Sequence, residues 1–155
     1  MSLPPSSSDA AGAWGSFPET LLHFRSSPQL TIDLRRAVDE EVRSGLRKIG
    51  FERSFGIVTA QNPMGVEQIS VVNDALAASL QQMTAGLGVK QVCIDACSPD
   101  ESHCERSVAI ELDERSLIDI AYTYEQLAIF WFDGEAFWIV PVYSGKERLR
   151  LPVVM

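Results

Sequence analysis

The sequence predicts an α/β domain of the α+β-like kind: a mixed sheet ending in a C-terminal antiparallel meander and packed by about three helices. Three observations carry that expectation. Apolar runs of strand length, such as Phe55-Gly-Ile-Val-Thr-Ala60, are interleaved with stripes at helical spacing, such as Val38, Val42, Leu46 and Ile49. Asp133-Gly134 separates two aromatic-rich runs, a strong two-residue hairpin signal. The chain has 155 residues, 46% of them hydrophobic, which is enough for one core without covalent staples.

Taken in order, residues 1–16 are rich in Ser, Pro, Ala and Gly and are expected to form a disordered tail, with a single α/β domain over 17–155. Pro18 to Phe24 reads as a short helix with proline in its first turn. Leu30-Thr-Ile-Asp-Leu34 alternates as a half-buried strand does. The Val38–Ile49 stripe is a helix stopped by Gly50. Phe55–Ala60 is apolar throughout, so it is placed at the centre of the sheet. After an Asn-Pro loop, Ser70 is the expected N-cap of a helix whose stripe is Ile69, Val72, Leu76, Leu80 and Met83. Val89–Ala96 and Cys104–Leu112 read as strands around the loop Ser98–Ser102. Asp113 caps a helix with Leu117, Ile120, Ala121 and Tyr124 inward. Leu127–Phe132 and Glu135–Val142 form the hairpin. Arg148-Leu-Arg-Leu151 alternates as an edge strand, its basic residues discouraging edge-to-edge pairing. The element order is not a regular βαβ alternation, and both two-layer and three-layer arrangements fit it.

Composition narrows the partners. Thirteen Lys and Arg stand against 21 Asp and Glu, giving a net charge of −8. An acidic chain without a clustered basic face is a poor fit to nucleic acid or anionic lipid. The longest unbroken apolar run, Leu127–Phe132, is far too short to span a bilayer. Met1 to Gly15 lacks the charge and apolar segment of a signal peptide. Three cysteines, Cys93, Cys97 and Cys104, show no framework spacing, which points to a reducing compartment and a cytoplasmic location.

The polar residues that could do chemistry are few. Asn62 and Asn73 flank the turn between a strand and a helix, where α/β proteins hold small polar ligands. Pro63 is expected to keep Asn62 extended. His103, Glu105 and Ser107 alternate onto one strand face, and a His–Glu pair suits acid–base work. Gln126 precedes a strand and is placed to present its amide at the same sheet edge as Asn62. Bland readings compete with each: a simple Asn-Pro turn, a strand-entry histidine, a glutamine closing a helix. His103-Cys104-Glu105 lacks the later Pro-Cys-x-x-Cys of zinc nucleobase deaminases. A structural zinc on Cys97, His103 and Cys104 lacks paired spacing, and Asp95, Asp100, Glu101 and Glu105 read more simply as solvated acids than as a magnesium site, so no metal is assigned. The cofactor is unknown. Trp131, Phe132, Phe137 and Trp138 read as cross-strand packing.

Three segments together resemble a bacterial family known as a domain of unknown function, DUF3293. They are Ile57-Val-Thr-Ala-Gln-Asn-Pro63 followed by Asn73, His103-Cys-Glu-Arg-Ser107, and Tyr124-Glu-Gln-Leu-Ala-Ile-Phe130. The resemblance spans about residues 30–142. It implies that Asn62, Asn73, Glu105, Ser107 and Gln126 are the polar positions of one site. This chain departs from the pattern at Glu125, where a glycine is usual, and at Arg106, where a proline is common. The resemblance implies no established activity.

The functional expectation is therefore a domain that binds a small polar or nucleotide-like ligand, with enzyme activity left open. Asn62, Asn73, Ser107 and Gln126 would orient the ligand, and Glu105 with His103 would be the acid–base pair. The alternative is a non-catalytic interaction or regulatory protein that binds a protein partner through its acidic surface or its aromatic hairpin.

Overall fold

A computed structural model describes residues 8–154. Eight strands form one sheet: β1 (Leu21–Phe24), β2 (Leu30–Asp33), β3 (Phe55–Thr59), β4 (Gln91–Cys97), β5 (Cys104–Ile110), β6 (Ala128–Phe132), β7 (Phe137–Pro141) and β8 (Leu149–Arg150). Their spatial order is β2-β1-β4-β5-β3-β6-β7-β8. Four helices accompany them: α1 (Ser8–Ser16), α2 (Glu40–Ile49), α3 (Ser70–Ala85) and α4 (Glu114–Thr123).

The class is as expected, helices on one sheet, with β6-β7-β8 as the C-terminal meander. The expected mixture of strand directions is corrected, because every pairing is antiparallel. The connections explain this. Helix α3 returns the chain from β3 to β4 in the same direction, but two places away, and β5 fills the gap running the other way. Helix α4 does the same from β5 to β6, with β3 between them. Each crossover thus spans an antiparallel neighbour and leaves no parallel pair in contact.

Strand alternation makes two cores, one on each face of the sheet. Ile57, Ala109, Phe132 and Ile139 join Leu46 and Ile49 of α2. Val58, Val108, Ile110, Trp131 and Val140 join Leu80 of α3 with Leu117 and Ala121 of α4. Gly56 lies in the central strand because α4 packs so closely there: a Cβ would come within 2.4 Å of Leu117 Cδ1.

Local expectations hold where caps and periodicity agree. Asp113 caps α4 as expected, accepting from the Ser116 N–H, and Gly50 ends α2; α2 starts later than its stripe, with Val38 outside it and Asp39 as a cap that accepts from the Val42 N–H. Elsewhere the structure corrects them. Pro18 sits in a 3-10 turn, Phe17–Glu19, and the next residues form β1 instead of a helix. Leu22 and Phe24 alternate into the core between β2 and β4, a tertiary gain that overrides a weak local preference. Residues 8–16, expected to be disordered, form α1, whose Ala10 is buried and whose Trp14 stacks edge-on against Phe17. The expectation for residues 1–7 lies outside the described residues. Ile69, not Ser70, occupies the N-cap position of α3, and no side chain caps it. Only the later part of the predicted stripe is covered: Leu80 is buried, whereas Ile69, at the N-cap position of α3, is 69% exposed.

The hairpin loop has four residues, 133–136, instead of two. Phe132 pairs with Phe137, and Asp133 gathers the Glu135 and Ala136 N–H groups on Oδ1 and the Trp138 indole on Oδ2. The cysteine expectation is also corrected. Cys97 and Cys104 are direct partners in the β4–β5 register and are joined by a disulfide, leaving Cys93 as the free thiol. Among the described residues, no helix is long and apolar enough to cross a membrane.

Candidate functional site

The site begins at the end of β3. Residues 60–68 leave the sheet, turn sharply, and enter α3. Asn62 is not extended as Pro63 predicts; it is left-handed, at φ 50° and ψ 62°. The following proline favours extended backbone at this position, so the left-handed turn is imposed by the contacts of the loop. Asparagine also tolerates it better than most residues. Hydrogen bonds hold this shape. The Asn62 N–H donates to Asn73 Oδ1 at 2.9 Å, while Asn62 Oδ1 accepts from the Gln68 N–H at 3.0 Å and from Asn73 Nδ2 at 2.7 Å. Asn62 Nδ2 is left pointing to β5, where it donates to Glu105 Oε2 at 2.7 Å.

A second residue, Gln61, ties the same loop to three elements. Its Nε2 donates to the Asn73 carbonyl, its Oε1 accepts from the Arg106 N–H at 2.8 Å, and its own carbonyl accepts from Gln126 Nε2 at 3.0 Å. Gln61 does not stand out in the sequence. A lone glutamine after an apolar run carries no periodic signal, and only its place next to Asn62-Pro63 hints at burial. A proline at 106, as the family resemblance leads one to expect, would have no N–H to offer Gln61, so this contact depends on Arg106.

Glu105 is half-buried on the face of β5 that looks away from α3. Burial pushes its carboxyl above the ordinary glutamate range, against the opposing pull of the Asn62 amide and the nearby His103. Ser107, two residues on, is buried and donates its hydroxyl to the Glu105 carbonyl at 3.2 Å. Gln126, also buried, follows α4 and spends both amide hydrogens on the Gln61 and Tyr124 carbonyls. Glu125 before it stands at φ 55°, the left-handed region that favours glycine, and its carbonyl accepts from the Met64 N–H at 2.7 Å. The glycine that the resemblance leads one to expect there has its reason in that backbone angle.

Asn62, His103, Glu105, Ser107 and Gln126 line one cleft of about 420 Å³. Its far wall is α1 with Phe17, and its apolar floor includes Ile57 and Phe130. Gly65 makes room for α1: at φ 75° a Cβ there would sit 3.1 Å from Ala13 Cβ and 3.2 Å from the Asp9 carbonyl. Asn73 is not on this cleft. It stands behind Asn62 and faces a second, shallower depression beside α3, shared with Arg106 and His103. The structure therefore brings five of the six predicted residues to one surface and makes the sixth a support for Asn62.

The other candidates separate from this surface. Asp100 organises the β4–β5 turn, where the Ser102 N–H and hydroxyl and the Ser98 hydroxyl pull its carboxyl down to about 2. Among the described residues, no group of three or more His, Cys, Asp or Glu gathers where it could hold a metal ion. The aromatic hairpin is packed: Trp131 is buried, and Arg148 lies 5.3 Å over Trp138.

Residues 58–129 match the family model described as a protein of unknown function, DUF3293. All six predicted site residues fall within that range, whereas α1 and Phe17 lie outside it. No curated protein and no solved structure matches the chain.

Proposed function

We propose that this chain, whose residues 58–129 match the DUF3293 family model, binds a small polar ligand in the cleft beside Glu105, with that carboxyl as an acid–base group. One observation carries the reading. A half-buried carboxyl, held on one oxygen by the Asn62 amide, shares a concave surface with Gln126 and Ser107. A polar cluster of this kind at the mouth of an apolar-floored cleft is the usual make-up of a small-molecule site. Burial raises the Glu105 carboxyl above the ordinary glutamate range, the direction that suits an acid–base group. Asn62, buttressed by Asn73, fixes the carboxyl, and His103 borders the cleft as its proton partner. A cytoplasmic location belongs to the same proposal, and there the Cys97–Cys104 pair would be held reduced.

A thermal-shift screen tests this, using nucleotides, sugar phosphates, amino acids, amines and divalent metals. A saturable rise in melting temperature that Glu105→Gln abolishes supports the cleft. A full set of null results, with Glu105→Gln folded, refutes it. A second reading, a protein-interaction module, is favoured by the exposed apolar side chains of Ile69 and Val71, 69% and 68% exposed at the start of α3. Capture of a saturable protein partner that is lost in an Ile69→Ser, Val71→Ser variant, together with a silent ligand screen, would favour that reading.

A further inference from the structure

The cleft has a chemical polarity, and Gln126 discloses it. Its Nε2 donates to two backbone carbonyls, Gln61 O at 3.0 Å and Tyr124 O at 3.2 Å. Carbonyl oxygens cannot donate, so the amide has a single orientation that needs no hydrogen to be seen. No hydrogen bond among the described residues reaches the other end of that amide, the oxygen Oε1. The residue is only 6% exposed and lies on the cleft wall. That oxygen is not enclosed by protein, so on a side chain this buried it is reached from the cleft, where an N–H donor can take the place of water.

The neighbouring charges agree. Asp9, Glu19, Glu67 and Glu105 line the cleft together with His103, and among the described residues no Lys or Arg does. Asn62 engages one oxygen of Glu105. Phosphate recognition draws on Arg, Lys or a helix N-terminus aimed at the ligand, and this wall supplies acceptors and acids in their place. Phe17 and Phe130, edge to face at 6.1 Å, add aromatic surface of the sort that attracts a cation.

We infer that the ligand is a small organic cation bearing N–H donors, an amine or a guanidinium, held between Glu105 and Gln126 Oε1. This deepens the proposal above and rests on it: the same cleft is occupied, but a phosphate-bearing nucleotide is not its ligand.

Isothermal titration calorimetry on the full chain tests the inference with agmatine, which carries one guanidinium and one amine, against AMP and ribose 5-phosphate. The expected result is saturable heat from agmatine and none from the two phosphates. Loss of a charged hydrogen bond should weaken agmatine by about 10-fold or more in Glu105→Gln. If that variant does not fold, a Glu19→Gln, Glu67→Gln double variant carries the test. Both side chains are exposed, and a weakening of a few-fold, together with loss of affinity in added salt, is expected. Binding of AMP or ribose 5-phosphate, lost in Glu105→Gln, with agmatine silent, would overturn the cation and leave the cleft standing. Agmatine binding unchanged in the variants would overturn the assignment to this wall. Silence from all three probes would overturn the cation, and the melting screen would then judge the cleft separately.

Discussion

Asn62 and Asn73 clasp each other: the Asn62 N–H donates to Asn73 Oδ1 at 2.9 Å, and Asn73 Nδ2 donates back to Asn62 Oδ1 at 2.7 Å. The two side chains lie eleven residues apart, and the clasp closes the loop between β3 and α3. It uses the backbone donor and the side-chain acceptor of a left-handed residue, so it fixes the direction in which the remaining Asn62 donor points. That donor meets Glu105. The geometry of the cleft is thus set from behind by a residue that does not line it.

Asn73→Ala removes both bonds of the clasp and leaves the Asn62 N–H unpaired in a part-buried place. The expected loss is about 1–3 kcal/mol, the usual penalty for stranding a buried polar group. Urea unfolding checks it, read from a lower midpoint at unchanged slope. Asn73→Asp is expected to be no better, because its second oxygen would face Asn62 Oδ1 with nothing to donate. An Asn73→Ala variant as stable as its parent would show that the clasp is incidental.

Glu125→Gly is expected to stabilise the protein. A non-glycine residue at φ 55° carries a left-handed strain of about 1–2 kcal/mol. Against it stands the greater freedom of glycine in the unfolded chain, about 0.4–1 kcal/mol. The net gain is between zero and about 1.6 kcal/mol by these principles. Thermal or urea unfolding reads it, and a loss of stability would show that the Glu125 side chain contributes more than its backbone angle takes away.

How much of this was legible in the sequence differs from element to element. Helix α2 was readable from its stripe and its Gly50 stop, and the start of α4 from its stripe and its Asp113 cap, because those local signals agree. Strand β1 was not, since four residues after a proline carry almost no period, and their alternation is settled by the strands on either side. The first turn of α3 looked like core because Ile69 and Val72 fit the spacing, and spacing alone cannot tell which turns of a helix are covered. The site residues were readable as polar interruptions near strand ends. What joins them was not: Gln61 has no pattern, and the Cys97–Cys104 pair depends on the β4–β5 register, which the intervening turn sets.

That disulfide gives a prediction of its own. Its cysteines are seven positions apart, and a loop this short restricts the unfolded chain by about 2.5 kcal/mol at most in the chain-entropy account. Cys97→Ala, Cys104→Ala, or treatment with a dithiol, is expected to lower stability by up to that amount while preserving the fold, because the Ser98 N–H to His103 carbonyl bond at 2.8 Å also closes the hairpin. Alkylation of the unfolded, unreduced protein should modify Cys93 alone, and after reduction all three cysteines. Three adducts without reduction would show that the purified protein does not contain the bond.

Glu105 predicts a direction for pH. Its folded-state carboxyl is raised, with burial the largest cause, so the folded protein keeps the proton to higher pH than the unfolded chain does. The contribution of this group to stability is therefore fully present below the ordinary glutamate value of about 4.3, and it is lost as pH rises through the raised folded value. Glu105→Gln keeps an oxygen for the Asn62 amide and cannot ionise. The variant should match its parent below about pH 4 and be the more stable of the two near neutrality. Thermal unfolding of both proteins across that range decides it, because the other titrating groups cancel in the difference. A gap between them that does not change with pH would mean that Glu105 titrates alike in the folded and unfolded chain, and Glu105 would then not be the raised acid of the cleft.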